Sequence, residues 1–107
     1  MPDRYAAYPS LELERPAEGV LRVVMSAPGR LNAAGHQMHR DLAGVWTEID
    51  RDPEVRAVVV RGAGDAFSAG GDIDLVADMA DDFEVRVRVL REARDLVYNL
   101  LNCSKPV

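Results

Sequence analysis

The chain is short of several features that would steer a reading early. It has one cysteine, Cys103, so no internal disulfide can form and a reducing compartment fits best. No apolar run approaches the roughly 18–20 residues of a bilayer span, which argues against a membrane helix. The start, Met1-Pro2-Asp3-Arg4-Tyr5, has no apolar stretch behind a basic segment, so no secretory signal is read there. A cytoplasmic protein is therefore expected. There is no internal repeat and no low-complexity tract. Positive charge is in deficit, with 13 Lys+Arg against 18 Asp+Glu and a net charge of −5. That balance disfavours nucleic acid and anionic membranes as partners. What remains is ordinary: 107 residues, 48% apolar and 29% charged, with room for one small domain.

Hydrophobic patterning then orders the chain. Leu11-Glu12-Leu13-Glu14 alternates and reads as a strand with one wet face. Pro16 and Gly19 bracket a turn, and Val20 to Met25 follows as a more buried strand, giving an antiparallel hairpin. Pro28-Gly29 opens a loop through Asn32. From His36 to Arg51, the residues Met38, Leu42, Val45, Trp46 and Ile49 trace one helical face, and Asp52-Pro53 stops the helix. Ala57-Val58-Val59-Val60 reads as a strand covered on both sides, paired in parallel through a right-handed crossover. Beyond Asp72 no Gly or Pro interrupts the chain until Pro106, so a helix is predicted from Asp82 to Leu101. Ser104-Lys105-Pro106-Val107 reads as the start of another strand. The fold class is α/β.

The glycine-dense stretch Gly62 to Gly71 follows a buried strand, where parallel sheets bind ligands. Glycine lets backbone N–H groups approach a ligand, and a helix start adds partial positive charge. The stretch is no P-loop, because Gly70-Gly71 is followed by Asp72-Ile73 rather than Lys-Ser/Thr. It is no dinucleotide fingerprint either, since Phe67 takes the place of the third glycine. The pattern suits a small anionic or carbonyl ligand read by backbone, or else a tight connection whose glycines serve only the turn.

Arg61 to Ile73 resembles the signature loop of the crotonase superfamily, the enoyl-CoA hydratases and isomerases. Ala27 to Ala33 resembles that family's Pro-x-x-x-Asn-Ala segment, Asp52 to Val58 its approach to the next strand, and Ser104 to Val107 the strand leading to its second glycine loop. The likeness runs from about Leu11 to Val107. It implies the N-terminal half of a crotonase-like spiral of ββα units, with a parallel sheet and flanking helices, in a single domain of which residues 1–107 are one part. It also implies binding of acyl-CoA thioesters, with coenzyme A as part of the substrate and no separate cofactor or metal. The Gly71 N–H is implied as one oxyanion donor, and the carbonyls of Ala69 and Gly71 as contacts for adenine. Arg30 and Leu31 would line the pantetheine and phosphate entrance, and Asp72 and Ile73 are implied among the substrate-binding residues. Asp72 is expected to hold the loop's shape or to cap the helix beginning near Ile73. A homo-trimer or hexamer is the implied assembly.

The hydratases' two glutamates and second oxyanion glycine follow the strand that Pro106-Val107 begins. A non-catalytic CoA-binding fragment and a partner-dependent structural remnant therefore stand as alternatives. Glu84 and Glu92 lie on a surface-like helix pattern and are not promoted to catalysis. His36 and His39 could share a metal by spacing, but read as exposed helix histidines. The run Asp72, Asp74, Asp78, Asp81 and Asp82 lacks the EF-hand pattern and reads as solvated. Ser68 has no histidine base in register, Cys103 reads as a buried thiol, and Trp46 reads as core.

Overall fold

In the computed structural model, which describes residues 3–107, the elements run β1 (Leu11–Ala17), β2 (Val20–Met25), α1 (His36–Arg51), β3 (Ala57–Gly62), α2 (Ile73–Asp81) and α3 (Phe83–Leu101). The sheet order is β1-β2-β3. β1 pairs antiparallel with β2, Leu13 opposite Val23, and β2 pairs parallel with β3, Val23 opposite Val60. α1 makes the crossover that a parallel pair requires. Among the described residues no helix is long and apolar enough to cross a membrane.

The core forms where α1 meets the sheet. Met38, Leu42, Val45, Trp46 and Ile49 are buried on one helical face, together with Leu21, Val23 and Val58 from the strands. Each fully buried aliphatic side chain there contributes about 1.5–3 kcal/mol. α3 adds Leu96 and Leu100 to the edge of this cluster, and α1 ends at Asp52, as its proline predicts.

Four expectations need correction. β1 does not stop before Pro16 but runs to Ala17, with a register shift between Glu14 and Ala17. β1 is an edge strand, so Pro16 falls in the irregular stretch where its missing N–H breaks no pair. β3 is not covered on both sides: Val58 is buried, but Val59 on the opposite face is 47% exposed. A continuous valine run records apolar character and not how many faces find a partner. Cys103 is only partly buried. Ser104 to Val107 forms no strand here, yet the Val58 N–H donates to the Pro106 carbonyl at 2.9 Å, on the side of β3 away from β2.

Two buried carboxylates tie the N-terminal segment to α1. Asp41 accepts from the Ser10 N–H at 3.0 Å and from Gln37 at 2.8 Å. Asp52 accepts from the Tyr5 hydroxyl at 2.7 Å and the Glu54 N–H at 3.0 Å, with Arg4 and Arg15 at 3.8 and 3.7 Å. Burial alone would raise the Asp52 pKa, but these donors and cations outweigh it and hold it below the usual carboxylate range. The hydroxyl and N–H of Ser104 lower Asp50 similarly, and Arg30 with the Asp74 N–H lowers Asp72. A depressed folded pKa gives stability that is complete above the unfolded carboxyl value of about 4 and is lost as the pH falls through the folded values. The urea midpoint is therefore expected to hold from neutrality to about pH 5 and to drop below about pH 4. Tyr5→Phe should flatten part of that drop, because it removes a bond that favours the Asp52 anion. Urea titrations at stepped pH check both, and a midpoint unchanged into strong acid would refute the assignment.

Candidate functional site

Two loops meet beyond the C-terminal ends of β2 and β3, and Asn32 joins them. Its backbone is left-handed, φ 57°, a conformation that asparagine tolerates better than most residues. Buried between the loops, its side-chain oxygen accepts from the Ala27 N–H at 2.9 Å, and its amide nitrogen donates to the Ala63 and Ala66 carbonyls at 2.8 and 2.9 Å. The Ser68 hydroxyl donates to its backbone carbonyl at 2.9 Å. These bonds spend Ser68 on structure, in keeping with the absence of a nucleophilic reading.

The second loop then runs alongside Ala34. The Ala34 N–H donates to the Gly70 carbonyl and the Asp72 N–H to the Ala34 carbonyl, both at 2.8 Å, an isolated parallel bridge between Ala34 and Gly71. In such a bridge the middle residue turns its own N–H and C=O away from its neighbour. Gly71 accordingly has a backbone donor and acceptor with no partner among the described residues. Gly70 supplies the preceding bend at φ 97°. A Cβ at Gly71 would meet only Leu75 and Val76, at 3.7 and 3.8 Å. The fold therefore does not need a glycine at position 71 for space.

Asp72 both caps and braces. Its carboxylate accepts from the Asp74 N–H at 3.1 Å at the start of α2, and Arg30 pairs with it and, at 3.4 Å, with Asp74. Arg30 thus fastens the first loop to the second helix, its guanidinium pKa raised by the Asp72 contact. Leu31 and Ile73 are exposed apolar side chains flanking this brace, and Ala69 is exposed with its N–H bonded to the Leu31 carbonyl.

A cavity of about 790 Å³ opens beside Gly70 and Gly71, walled by side chains such as Met25, Leu42, Val58, Val60, Leu96 and Leu100. His39 also lines it. Contrary to its reading as an exposed histidine, His39 has a side chain only 15% exposed and lies 2.8 Å from Glu92. Glu92 in turn is buried rather than on a wet face, and it accepts from Arg88 at 3.0 Å. His36 sits between Asp78 and Arg88, 2.7 Å from each. These contacts draw α2 and α3 onto α1, so both histidines are engaged across helices. Spacing along one helix carries no information about partners 53 residues away. The sequence signal for Asn32 is its place in a Pro/Gly loop, where asparagine is a known device for left-handed turns.

A hairpin, a helical crossover and a glycine loop bridged to the segment before α1 are the α/β architecture of the crotonase superfamily. A family model described as enoyl-CoA hydratase/isomerase matches residues 20–107, and the chain belongs to that family. It is 34% identical to the human mitochondrial Delta(3,5)-Delta(2,4)-dienoyl-CoA isomerase over 113 aligned positions, covering 94% of this chain and 34% of that protein. It is 32% identical to the 1,2-epoxyphenylacetyl-CoA isomerase of Escherichia coli, covering 84% of this chain and 35% of that one. The crystal structure of an enoyl-CoA hydratase/isomerase from Mycobacterium paratuberculosis superposes with a TM-score of 0.85 at 32% identity, over 92% of this chain and 39% of that one. The chain thus spans between a third and two fifths of these relatives.

Proposed function

We propose that this chain binds acyl-CoA thioesters and stabilises the enolate-type anion that develops at the thioester carbonyl, in the service of adding water to a 2-enoyl-CoA. One observation carries the reading: the Gly71 N–H has no partner among the described residues and stands beside apolar side chains. A donor fixed before reaction meets developing charge without reorganising, and apolar walls strengthen the interaction by excluding water. The dipole at the start of α2 acts in the same sense. The free carbonyl of Gly71 and the exposed Ala69 are placed to receive adenine, with Leu31 and Ile73 against the pantetheine. Arg30 braces the loop through one guanidinium nitrogen, and its remaining donors, on a side chain that is 56% exposed, are placed to meet a phosphate. Coenzyme A enters as part of the substrate, with no metal or other cofactor, and the assembly is a cytoplasmic homo-trimer or hexamer.

Binding without turnover is the second reading, favoured by one observation. Both Glu92 oxygens are taken by His39 and Arg88, and Glu84 lies on the first turn of α3, so neither stands as a free base beside Gly71. A partner-dependent remnant is a third, favoured by the exposure of Val59 and Phe67.

Acetoacetyl-CoA separates the first two, because its enolate absorbs in the near ultraviolet and its keto form does not. Wild type is expected to raise the enolate band. Gly71→Ala, which keeps the N–H and fits the available space, should retain the band, and Gly71→Pro, which removes the N–H, should lose it. Binding with no enolate band in wild type would favour the second reading. No binding at all would overturn both.

A further inference from the structure

Five polar side chains join the three helices in one chain of contacts. Asp78 of α2 lies 2.7 Å from Nε2 of His36, the first residue of α1. Nδ1 of the same ring lies 2.7 Å from a guanidinium nitrogen of Arg88 on α3. Arg88 donates onward to Glu92 at 3.0 Å, and Glu92 lies 2.8 Å from Nδ1 of His39. Asp78, Arg88 and Glu92 are thus the charged groups that face the two histidines from α2 and α3 among the described residues. On α1 itself, Arg40 follows His36 by one turn. His36, Asp78 and Arg88 each have a side chain about half exposed, so solvent protons reach them.

The arginine fixes the donor and acceptor roles. A guanidinium only donates, so Nδ1 of His36 accepts from Arg88 and carries no hydrogen. The His36 hydrogen is then on Nε2, donated to Asp78, and the ring is neutral. A second proton has one place to go, Nδ1. There it turns an acceptor into a donor aimed at another donor and sets two cations side by side. His39 behaves differently. Its Nδ1 faces a carboxylate, which accepts from the neutral and the charged ring alike, so its protonation reverses no bond.

We propose that His36 is a proton-operated joint: neutral, it links α2 to α3 through Asp78 and Arg88, and protonated, it keeps Asp78 as an ion pair and releases Arg88. Arg88 stays on Glu92, four residues along its own helix, so the acid form has two separate pairings in place of one continuous chain. Arg86, bonded to the Met79 and Ala80 carbonyls at the end of α2, is untouched and keeps the two helices joined there. Asp78 belongs to the helix that begins directly after Gly71 and Asp72, so the joint sets how that helix is coupled to α3. The inference stands on these contacts and does not depend on the acyl-CoA reading.

Nitrogen-15 spectra of the imidazole and guanidinium groups, recorded on the chain from about pH 7.5 to about pH 5, test it. At the upper end His36 is expected as the Nε2–H tautomer, with a hydrogen-bond coupling from Arg88 to Nδ1. Toward the lower end that coupling should disappear, and the Arg88 resonances should move in one step with the same midpoint as the His36 ring. His36→Gln, which keeps one acceptor and one donor but takes no proton, should leave the Arg88 resonances unmoved over the range. His36→Lys, charged throughout, should hold them at the acid position, and His39→Gln should leave the wild-type step in place. An Nδ1–H tautomer at the upper end would overturn the joint, as would Arg88 resonances that ignore the His36 titration. A step that survives His36→Gln, or one that vanishes in His39→Gln, would overturn it equally. The wild-type spectra decide the matter even where a variant does not fold.

Discussion

Gly62→Ala is expected to abolish cooperative folding. A Cβ at this position would lie 2.1 Å from the carbonyl oxygens of both Ala66 and Phe67 and 2.7 Å from the Asn32 amide nitrogen. Two of these three are backbone atoms, which no rotamer change can move aside. Relief would require the loop from Ala63 to Phe67 to lift off the end of β3, and the Asn32 bonds would break with it. Overpacking of a core by a methylene commonly costs about 1–3 kcal/mol, and a clash with fixed backbone exceeds that range. Domains of this size have about 5–15 kcal/mol in all, so the loss approaches the whole. Urea denaturation followed by circular dichroism should show no cooperative transition. Gly71→Ala is the control: its Cβ makes only ordinary contacts with Leu75 and Val76, and its midpoint should stay near wild type. A cooperative Gly62→Ala protein of wild-type midpoint would show that the turn is softer than its geometry.

The second large effect is expected from Asn32→Asp, a change of one atom in a side chain of unchanged shape. The oxygen that accepts from the Ala27 N–H survives the substitution. The nitrogen that donates to the Ala63 and Ala66 carbonyls becomes an oxygen facing two oxygens, in a site from which water is excluded. Two hydrogen bonds turn into repulsions and a charge is buried without a cation, for a cost of about 3–5 kcal/mol. The pH dependence identifies the cause. Burial and the two carbonyls raise the folded pKa of the introduced carboxyl, since the protonated form can donate to one of them. A raised folded pKa makes the relative stability greatest below the unfolded value of about 4 and progressively lost as the pH rises. The gap to wild type should therefore narrow on acidification, while wild type itself weakens through Asp50, Asp52 and Asp72. Urea midpoints of both proteins between neutrality and pH 4 read this directly. A gap of constant size would mean that shape, and not donor placement, is what Asn32 provides.

Much of the architecture could be read from local pattern. The face of α1, the strand at Ala57–Gly62 and the long helix ending at Leu101 all follow from periodicities that the chain itself displays. Asp52 ends α1 because the following proline constrains it, and Asp72 caps α2 because a short carboxylate reaches the next turn's N–H. Pro16 was misleading, since a proline reads as a turn and only the edge position of β1 makes it harmless within a strand. The valines of β3 read as apolar on both faces, and within this chain Val59 is left exposed.

The sequence by itself determined which residues can form the loop, the helices and the strands, and the order of its motifs was enough to place it in its family. Those are short-range properties: turn dihedrals, caps and periodic burial depend on neighbours a few positions away. Only the tertiary structure decided which polar groups are satisfied and which stay free. The Gly71 N–H has no partner among the described residues because Ala34 bonds to the residues on either side of it, and Arg30 braces the loop because Asp72 arrives beside it. Of His39 and Glu92, assigned to wet helix faces by pattern, Glu92 becomes buried and His39 largely covered because α3 folds onto α1. Hydrogen bonding and desolvation are set by whatever lies within a few ångströms, and in this chain those neighbours come from tens of residues away.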